Sequence, residues 1–410
     1  MTGAGGEQTD GQEVFTGSFT QQEPIPDEAI LAASEVLRSG RLHRYNVGPG
    51  EVGETARLEQ EFAALTGARY CLAVASGGYA ISCALRAAGV EPGAPVLTNA
   101  FTLAPVPGAI VAAGGRPVFV ETGGDLTIDL ADLETKATES GARHLVLSHM
   151  RGHIGDMDRL LACTEALGLV VIEDCAHTMG ATWRGIPSGR HGRVGCFSTQ
   201  TYKHVNSGEG GLLISDDADT FARAVLLSGS YMLWDRHIAA PGPESFAPIL
   251  GDVPNISGRM DNLRAAILTP QLKLLDERCA AWTERYRTVE RELADVPGLH
   301  LFTRPPEEGF VGSSFQFSLP GAAPETLTDL VRACSARGVE LKWFGAAEPH
   351  GYTSRYSHWA YAAPPELPAT DRTLATLLDM RLPLTFTLED CALIGRIIRG
   401  EVQRAMASTG

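Results

Sequence analysis

The sequence lacks the long apolar runs of a membrane protein and the paired cysteines of a stapled secreted domain. No stretch of about 18 uncharged apolar residues occurs. The eight cysteines are scattered without a CxxC pair, which is typical of reduced, buried thiols. The first residues carry neither the basic stretch nor the apolar core of a secretion signal. We therefore expect a cytoplasmic protein that does not associate with membranes.

Positive charge is also scarce in this chain. The 34 Lys and Arg residues face 49 Asp and Glu, a formal net charge of -15, and no basic block interrupts the sequence. Binding a phosphate backbone usually requires a clustered positive face. Nucleic acid is therefore not expected as a partner, and a small anionic ligand would have to be held by local groups.

The length and patterning indicate more than one domain. At 410 residues the chain is long enough for roughly two or three domains, and residues 1–20 are Gly-, Thr- and Gln-rich, as in a mobile tail. Short apolar runs then alternate with helical stretches; these runs are Tyr70 to Ala75, Pro95 to Leu97, Arg116 to Val120, His144 to Ser148 and Leu169 to Glu173. Such alternation predicts an α/β fold with a mostly parallel sheet between helices.

The carboxy-terminal part has a different pattern. Arg259 to Leu293 reads as one or two long helices with Pro270 as the only breaker, and Leu388 to Met406 reads as a closing helix. Apolar runs flank a further helix from Glu325 to Ala336, which suits a smaller α+β domain. We predict a tail over 1–20, a large domain over 21–275 and a small domain over 276–410.

The candidate chemistry lies between residues 170 and 215. Asp174 ends an apolar strand, where ligands sit in open α/β sheets, and Lys203 precedes the glycine turn Ser207-Gly208-Glu209-Gly210-Gly211. Each residue alone is more often a surface charge or a helix cap. Together they suit pyridoxal phosphate (PLP), because a lysine amine bonds covalently to its aldehyde and an aspartate keeps its pyridine nitrogen protonated.

A phosphate cradle should accompany these two groups. Ser76-Gly77-Gly78 lies between a predicted strand and a predicted helix. Unobstructed backbone N–H groups at a helix N-terminus favour an anion. Alone the motif is weak, but with Asp174 and Lys203 it points to a PLP site.

The order of these motifs resembles the DegT/DnrJ family of fold-type-I PLP-dependent aminotransferases, which aminate keto-sugars and cyclitols in antibiotic and cell-surface pathways. The resemblance covers about residues 25 to 405. The matching segments include Ser76-Gly77-Gly78, Phe101-Thr102, Pro117 to Val120, Gly155 to Asp158, Glu173 to His177, Phe197-Ser198, Lys203, Gly208 to Gly211, Arg259-Met260 and Gln271-Leu272.

The resemblance implies a role for each matched position. Lys203 would be the Schiff-base lysine and proton carrier, and Asp174 the partner of the pyridine nitrogen. Phe101 would stack on the cofactor ring, and His177 would lie near the phenolic oxygen of the cofactor, although both are also ordinary buried residue types. Ser198 would bind the phosphate beside the backbone of Gly77 and Gly78.

The sequence departs from the family pattern at several positions. Gly78 replaces the usual threonine of the phosphate turn, so one hydroxyl is missing. The asparagine that the family donates across a homodimer to the partner's phosphate corresponds to Asn255 or to Ser257, and we favour Asn255 because an amide reaches farther. Lys342-Trp343-Phe344-Gly345 stands where the family often has His-Tyr, in the region that sets substrate choice.

The resemblance implies amino transfer from glutamine or glutamate to a keto-sugar, keto-cyclitol or related ketone. A PLP lyase, condensation enzyme or racemase is the alternative, since the same electron sink serves all of them. Family dehydratases replace the lysine with histidine, so Lys203 argues against that branch. A PLP-binding regulator without activity is the non-enzymatic alternative. Arg41 to Arg44, Arg355 and Arg381 are candidates for binding a donor carboxylate or a substrate phosphate.

Overall fold

The computed structural model describes residues 7–9, 12–349 and 355–407. The helices in chain order are α1 Asp27–Ser39, α2 Glu54–Thr66, α3 Gly77–Ala87, α4 Pro105–Ala112, α5 Leu130–Ser140, α6 Met157–Ala166, α7 Ala218–Leu227, α8 Pro243–Phe246, α9 Asn262–Leu272, α10 Leu275–Leu293, α11 Pro324–Ala336, α12 Pro368–Ala375 and α13 Leu388–Ala407. The strands are β1 Glu7–Thr9, β2 Gln12–Val14, β3 Tyr70–Val74, β4 Pro95–Asn99, β5 Arg116–Val120, β6 His144–Ser148, β7 Val170–Asp174, β8 Thr182–Trp183, β9 Ile186–Pro187, β10 Val194–Ser198, β11 Gly211–Ser215, β12 His300–Leu301, β13 Glu308–Gly309, β14 Ser314–Ser318, β15 Lys342–Trp343 and β16 Leu377–Arg381.

The main sheet has the order β3-β11-β10-β7-β6-β4-β5. β11 runs antiparallel to both of its neighbours, whereas β10, β7, β6, β4 and β5 pair in parallel. Residues on both faces of the central strands, such as Leu145 and Val146 on β6, are fully buried, as expected for a sheet covered by helices on each side. The predicted α/β fold with a mixed, mostly parallel sheet is confirmed.

The strand register brings the carboxyl ends of three parallel strands to one edge of this sheet. Ser148 at the end of β6 is opposite Asp174 at the end of β7, and Cys196 on β10 is opposite Asp174 on the other side. β10 therefore ends two residues later, at Ser198. The first turn of α3 follows β3 at the same edge, so the polar groups of several motifs converge there.

The carboxy-terminal part contains a second, antiparallel sheet with the order β12-β14-β16-β15. Helices α10, α11 and α13 supply the apolar cluster that packs with this sheet, including Val289, Leu330 and Ile394. This is the expected smaller α+β unit. The division of the chain at residue 275 stays a prediction; Leu275 packs with the large-sheet residues, while Val289 of the same helix packs with the small sheet.

The end of the segment predicted as a mobile tail, residues 1–20, is packed against the rest of the protein. Phe15 and Phe19 are 2% and 3% exposed, and their rings pack edge-to-face against Phe386. Large aromatic side chains release water when they are buried, which fixes this stretch against the small sheet. Residues 1–6, 10 and 11 of the predicted tail lie outside the described residues.

The segment from Arg259 to Leu293 forms two helices, and the break between them lies after Pro270. Pro270 lies inside α9, and the helix ends at Leu272, before α10 begins at Leu275. Pro270 is near the end of a short helix, so only one hydrogen-bonding position is lost.

Within the part of the chain that the structure describes, no helix is both long and apolar enough to cross a membrane.

Candidate active site

A cavity of about 1190 Å³ opens at the carboxyl edge of the main sheet, between that sheet and the small one. Its lining includes most of the residues singled out from the sequence, namely Ser76, Gly77, Gly78, Asp174, His177, Ser198 and Lys203. Arg151, Lys342, Asp379 and Arg381 also line it. The sequence motifs therefore meet in one place, as a shared ligand site requires.

The cradle at the start of α3 is built by close backbone contacts. The hydroxyl of Ser76 accepts a hydrogen bond from the Tyr79 N–H at 3.1 Å and so begins the helix. A Cβ at Gly77 would lie 2.8 Å from the Cβ of Ser198. A Cβ at Gly211 would lie 2.5 Å from the Ser76 carbonyl carbon. Glycine at positions 77 and 211 thus lets three segments approach one another around a helix N-terminus, which favours an anion.

Gly78 differs from Gly77 in its surroundings. A Cβ at Gly78 would meet only Pro105, at 3.9 Å, so the position has room for a side chain. Crowding therefore does not explain why this chain lacks the threonine hydroxyl that the family has at this position.

Asp174 is held by groups that donate to its carboxylate. The hydroxyl of Ser148 donates to Oδ2 at 2.8 Å, and the Ala176 N–H donates to Oδ1 at 3.1 Å. Thr102 in turn donates to the Ser148 hydroxyl at 2.8 Å. These donors fix the orientation of the side chain, so Asp174 can offer a carboxylate in a defined position to a protonated ring nitrogen.

Glu173, the neighbour of Asp174 in the sequence, has a structural role. Its Oε1 accepts from the N–H groups of His191 and Gly192, and its Oε2 accepts from the Gly189 N–H and lies 3.1 Å from His149 Nε2. Although burial opposes ionisation, these hydrogen bonds hold the pKa of Glu173 below its ordinary value. The carboxylate anchors the loop before β10 and does not line the cavity.

Two histidines that follow β6, His149 and His153, have different partners. His149 contacts Glu173, whereas His153 Nε2 lies 2.9 Å from Gln316 Oε1, so the two histidines have separate partners. Among the described residues the ligand atoms of His149, Glu173 and Cys175 do lie within 4.8 Å of one another. Because the Glu173 oxygens already accept several hydrogen bonds, this group is explained as part of the core.

Lys203 projects from the turn after β10 into the cavity. Its Nζ lies 3.3 Å from Nε2 of His177. The next residue, His204, is fixed by Met179 O at 2.7 Å and by Ser313 Oγ at 2.9 Å. This anchored neighbour holds the turn in place, so the lysine amine has a defined position.

The surroundings of Lys203 lower the proton affinity of its amine. Burial lowers its pKa to about 8; Asp174 raises the pKa, and the cations Arg151 and Arg381 lower it. Burial, followed by the charge of Lys203, also lowers the pKa of His177 well below its ordinary range. His177 is therefore neutral at pH 7 and can accept a hydrogen bond from the Lys203 ammonium.

The structure does not place Phe101 at the cavity. Phe101 is 1% exposed and lies in an apolar cluster with Phe344, their ring centroids 5.1 Å apart at 81°. Its N–H donates to the Thr122 hydroxyl at 3.1 Å, which directs the backbone inward. Leu103, two residues later, is the cavity-lining residue of this loop. The expectation that Phe101 stacks on a cofactor ring is therefore corrected by its burial in the core.

Asn255 lies on the surface, outside the cavity lined by the described residues of its own chain. The backbone just after it is fixed, because Tyr79 donates to the Ile256 carbonyl at 2.9 Å and the Ala75 N–H donates to Gly258 O at 2.7 Å. Ser257 accepts from Arg259 at 3.1 Å. A role for Asn255 or Ser257 in a site of another subunit stays a prediction.

The arginines considered from the sequence separate into two groups. Arg44 is buried against Glu59, with 2.7 Å between Arg44 Nη2 and Glu59 Oε2, and Arg41 pairs with Glu51 on the surface. Both have structural or surface partners. Arg381 does line the cavity, and its guanidinium lies 3.7 Å from the centroid of the Tyr202 ring.

Sequence reasoning missed two charged residues of the cavity wall, Arg151 and Asp379. Arg151 Nη2 lies 2.7 Å from Asp379 Oδ2, and Gln316 donates to Asp379 Oδ1 at 2.7 Å. Arg151 has a φ of +56°, a left-handed conformation that is uncommon for residues other than glycine. No local motif marks this position, although strained backbone is often found at functional sites.

These residues fit PLP by their chemistry. The helix N-terminus with Gly77 and Ser198 suits a phosphate, Asp174 suits a ring nitrogen, and the amine of Lys203 suits an aldehyde. The close approach at Gly77, which a Cβ would fill, leaves the backbone N–H groups of the first turn of α3 accessible to a phosphate.

Comparison with known proteins adds independent observations. A family model described as the DegT/DnrJ/EryC1/StrS aminotransferase family matches residues 25–399. The chain is 32% identical over 258 residues to the L-glutamine:scyllo-inosose aminotransferase of Streptomyces griseus, covering 63% of this chain and 60% of that protein. It is 33% identical over 282 residues to the spore coat polysaccharide biosynthesis protein SpsC of Bacillus subtilis, covering 67% of this chain and 69% of that one.

A solved structure extends the similarity over most of the chain. The structure of DesV from S. venezuelae in complex with a ketimine intermediate matches with a TM-score of 0.76 and 27% identity, covering 92% of this chain and 95% of that chain. The matched segment thus spans less than two thirds of the Streptomyces griseus relative, while the fold agrees almost throughout.

Proposed function

The chain belongs to the DegT/DnrJ/EryC1/StrS aminotransferase family, and on that premise we propose that it transfers an amino group from glutamine or glutamate to a keto-sugar, keto-cyclitol or related ketone. The observation that carries the proposal is the convergence of Lys203, Asp174 and the Gly77 cradle on one cavity. Two Streptomyces relatives, an L-glutamine:scyllo-inosose aminotransferase and an L-glutamine:2-deoxy-scyllo-inosose aminotransferase, support the donor and the acceptor class.

PLP is the cofactor that we propose for this site. When bound, it would supply an electron sink that stabilises the negative charge left on a substrate carbon after a proton is removed. Ser198 and the backbone of Gly77 and Gly78 would hold its phosphate, and Asp174 would hold its ring nitrogen in the protonated form. His177 would lie beside Lys203 as a neutral partner.

Lys203 would attach the cofactor and then carry the proton. A general base works best when its pKa is near the working pH, and the pKa of about 8 for Lys203 meets this condition. Asp174, Arg151 and Arg381 set this value together with burial. The amine would take a proton from the donor carbon and return it at another atom.

The donor half of the reaction tests this proposal. Purified protein loaded with PLP is mixed with L-glutamine, L-glutamate or other amino acids, and the visible absorbance of the bound cofactor is followed. We expect glutamine or glutamate to abolish the absorbance of the aldehyde-derived form and to release the matching oxo acid. Lys203→Ala should prevent this change, and Lys273→Ala, at an exposed lysine, should not. An unchanged spectrum with every amino acid would reject the transaminase function.

We further propose a cytoplasmic homodimer that shares its two active sites. Exposed apolar side chains occur in the sequence on both sides of Asn255; they are Tyr231, Met232, Ile238, Leu250 and Ile256, which are 45–74% exposed. Apolar residues exposed to this extent in one segment are typical of an interaction surface. A C2 interface over this segment would carry Asn255 of each subunit toward the partner's cradle.

The proposed location in the cytoplasm is supported by the cysteines. All eight are free, in keeping with a reducing compartment.

Subunit complementation tests this arrangement. Lys203→Ala and Asn255→Ala are mixed under conditions that exchange subunits, and formation of the heterodimer is verified. Activity should return, because one site of the mixed dimer contains both native residues. A parallel mixture with Ser257→Ala distinguishes the two candidate residues. Two inactive parents without recovered activity would contradict a shared site, and so would an active monomer.

A further inference from the structure

The turn that carries Lys203 is attached to the rest of the protein by the three residues that follow the lysine. His204 is held through its side chain, and Val205 is 0% exposed in an apolar cluster of the large sheet. Asn206 is held in a different way, through both hydrogen-bonding groups of its backbone. The partner of both groups is the side-chain amide of Gln271.

Gln271 binds Asn206 with both ends of its amide. The Asn206 N–H donates to Oε1 of Gln271 at 3.1 Å, and Nε2 of Gln271 donates to the Asn206 carbonyl at 2.8 Å. Residues opposite each other in an antiparallel sheet exchange two bonds in the same way, but here a single side chain supplies both. The two bonds fix the position and the orientation of the backbone at Asn206.

The amide of Gln271 has only one orientation that satisfies its neighbours. Gln271 is 0% exposed and lies in the last turn of α9. Its Nε2 also donates to the Ile267 carbonyl at 2.7 Å, and its Oε1 also accepts from Arg278 Nη1 at 3.3 Å. All four hydrogen-bonding positions of the amide are therefore occupied. Rotation of the amide by half a turn would set donors against donors and the oxygen against two carbonyls, so the contact with Asn206 is locked.

Support for Gln271 extends to a residue outside the region that the family model matches. Arg278 of α10 is 14% exposed in its side chain, and its Nε lies 3.6 Å from Oε2 of Glu23. Glu23 precedes the matched residues, which begin at position 25. The Glu23 side chain is 41% exposed, so solvent weakens this ion pair. Gln271 is therefore the main attachment, and Arg278 with Glu23 supports it from outside.

Resting on the proposed function, we infer that Gln271 is a positioning residue for Lys203, because its amide fixes the backbone three positions after the lysine and so keeps the lysine amine inside the cavity. Other backbone bonds of the turn join it to itself. The Lys203 N–H donates to the Gln200 carbonyl at 2.9 Å, and the Ser207 N–H donates to the Thr199 carbonyl at 3.0 Å. These bonds set the shape of the turn, whereas Gln271 sets its place against α9.

The place of the turn decides how far the amine of Lys203 is removed from water. Burial is the largest cause that lowers its pKa to about 8. A turn released from Gln271 would let the amine move toward solvent, and its pKa would rise toward the ordinary value. The charged and titratable groups that face the amine are Asp174, Arg151, Arg381, His177 and His204. The four bonds of Gln271 go to none of them, so a change at Gln271 leaves these groups in place.

Competitive labelling of the full, cofactor-free chain tests this role without turnover. A trace of acetic anhydride is added at a series of pH values, and mass spectrometry gives the midpoint of the labelling curve for each lysine. The midpoint reports proton affinity and does not depend on how easily the reagent reaches the amine. Gln271→Met, which removes the amide at similar side-chain length, should raise the Lys203 midpoint by at least about half a pH unit, or about a threefold loss of neutral amine at pH 7. The midpoint of Lys342, which lines the same cavity from β15, should not move.

Two further variants complete the test. Asn206→Ala is the matched control, because it removes the side chain of Asn206 and keeps both backbone bonds to Gln271; its Lys203 midpoint should equal that of the unchanged protein. Gln271→Asn keeps an amide on a side chain that is too short for both bonds, and it replaces Gln271→Met if that variant does not fold. Near-ultraviolet circular dichroism verifies folding.

The outcomes are distinct from those of the donor assay. An unchanged Lys203 midpoint in a folded Gln271 variant, even one of lowered stability, would overturn the positioning role, and so would equal shifts of Lys203 and Lys342. A raised Lys203 midpoint in a protein that responds to no amino donor would support the positioning role while rejecting transamination. A donor response together with an unmoved midpoint would reject the positioning role alone.

Discussion

Three of the four lysines of the chain should titrate in two different ranges. Lys203 and Lys342 line the cavity, and burial lowers the pKa of each to about 8. Lys273 is exposed, and its hydrogen bond and ion pair with Glu28 raise its pKa above the ordinary value. One protein thus supplies both the perturbed lysines and an internal reference.

The expected difference in reactivity is large. Only the neutral amine reacts with an acylating reagent. At pH 7, an amine with a pKa of about 8 is roughly 10% neutral, whereas an amine with an ordinary pKa of about 10.5 is roughly 0.03% neutral. The cavity lysines should therefore hold about 300 times more neutral amine than an ordinary lysine, with accessibility to the reagent reducing the observed ratio.

Competitive labelling measures this difference. Cofactor-free protein is exposed to a trace of acetic anhydride between about pH 6 and pH 10, and mass spectrometry reports the modification of each lysine. Labelling of Lys203 and Lys342 should level off above about pH 8, while labelling of Lys273 should still rise. Arg151→Gln removes a positive charge that lowers both values, so both midpoints should move upward. Arg332→Gln, which changes an exposed arginine of α11 that pairs with Asp329, should leave both midpoints unchanged.

The result that refutes the reasoning is a common profile. If Lys203 follows Lys273 across the whole range in protein that is folded, burial and the neighbouring arginines do not control its proton. The proposed use of Lys203 as a base near neutral pH would then lose its physical basis.

Three further predictions follow from the site and its support. Asp174→Asn should retain cofactor but lose about 100-fold or more in turnover, since an amide cannot hold a protonated ring nitrogen; turnover near the wild-type value would remove Asp174 from that role. Gly77→Ala should weaken PLP binding at least about tenfold in equilibrium titrations because its Cβ meets Ser198, whereas Gly78→Ala, with open space, should bind normally. Glu59→Gln should destabilise the protein by about 3 kcal/mol or more in denaturant titrations, because its buried partner arginine loses its counter-ion, while Glu51→Gln on the surface should have a far smaller effect on stability; similar losses in the two variants would contradict this account.

Local signals account for much of the fold. Helix α1 ends before Gly40 and α2 before Gly67, and both glycines adopt the left-handed conformation expected of a helix end, with φ of 67° and 71°. The runs from Arg116 to Val120 and from His144 to Ser148 became strands with the same bounds. These features depend on a few consecutive residues, so they can be read without tertiary information.

The polar groups at strand ends could also be predicted from the sequence. Asp174, Ser198 and Gly77 each follow or end a strand of one sheet, and the carboxyl ends of parallel strands meet at one edge. Phe101 shows the limit of this reasoning. The backbone conformation of a loop decides which of its residues faces the cavity, and here the hydrogen bond to Thr122 directs Phe101 into the core. The adjacent loop position that lines the cavity is occupied by Leu103.

The basic residues of the cavity could not be predicted from the sequence for a stronger reason. Arg151 follows β6 of the main sheet, while Lys342 and Arg381 belong to the small sheet, and only the packing of the two sheets brings them together. The charges of Arg151 and Arg381 lower the pKa of Lys203. The base strength of the lysine amine therefore depends on residues of both sheets, and no local segment of the sequence contains it.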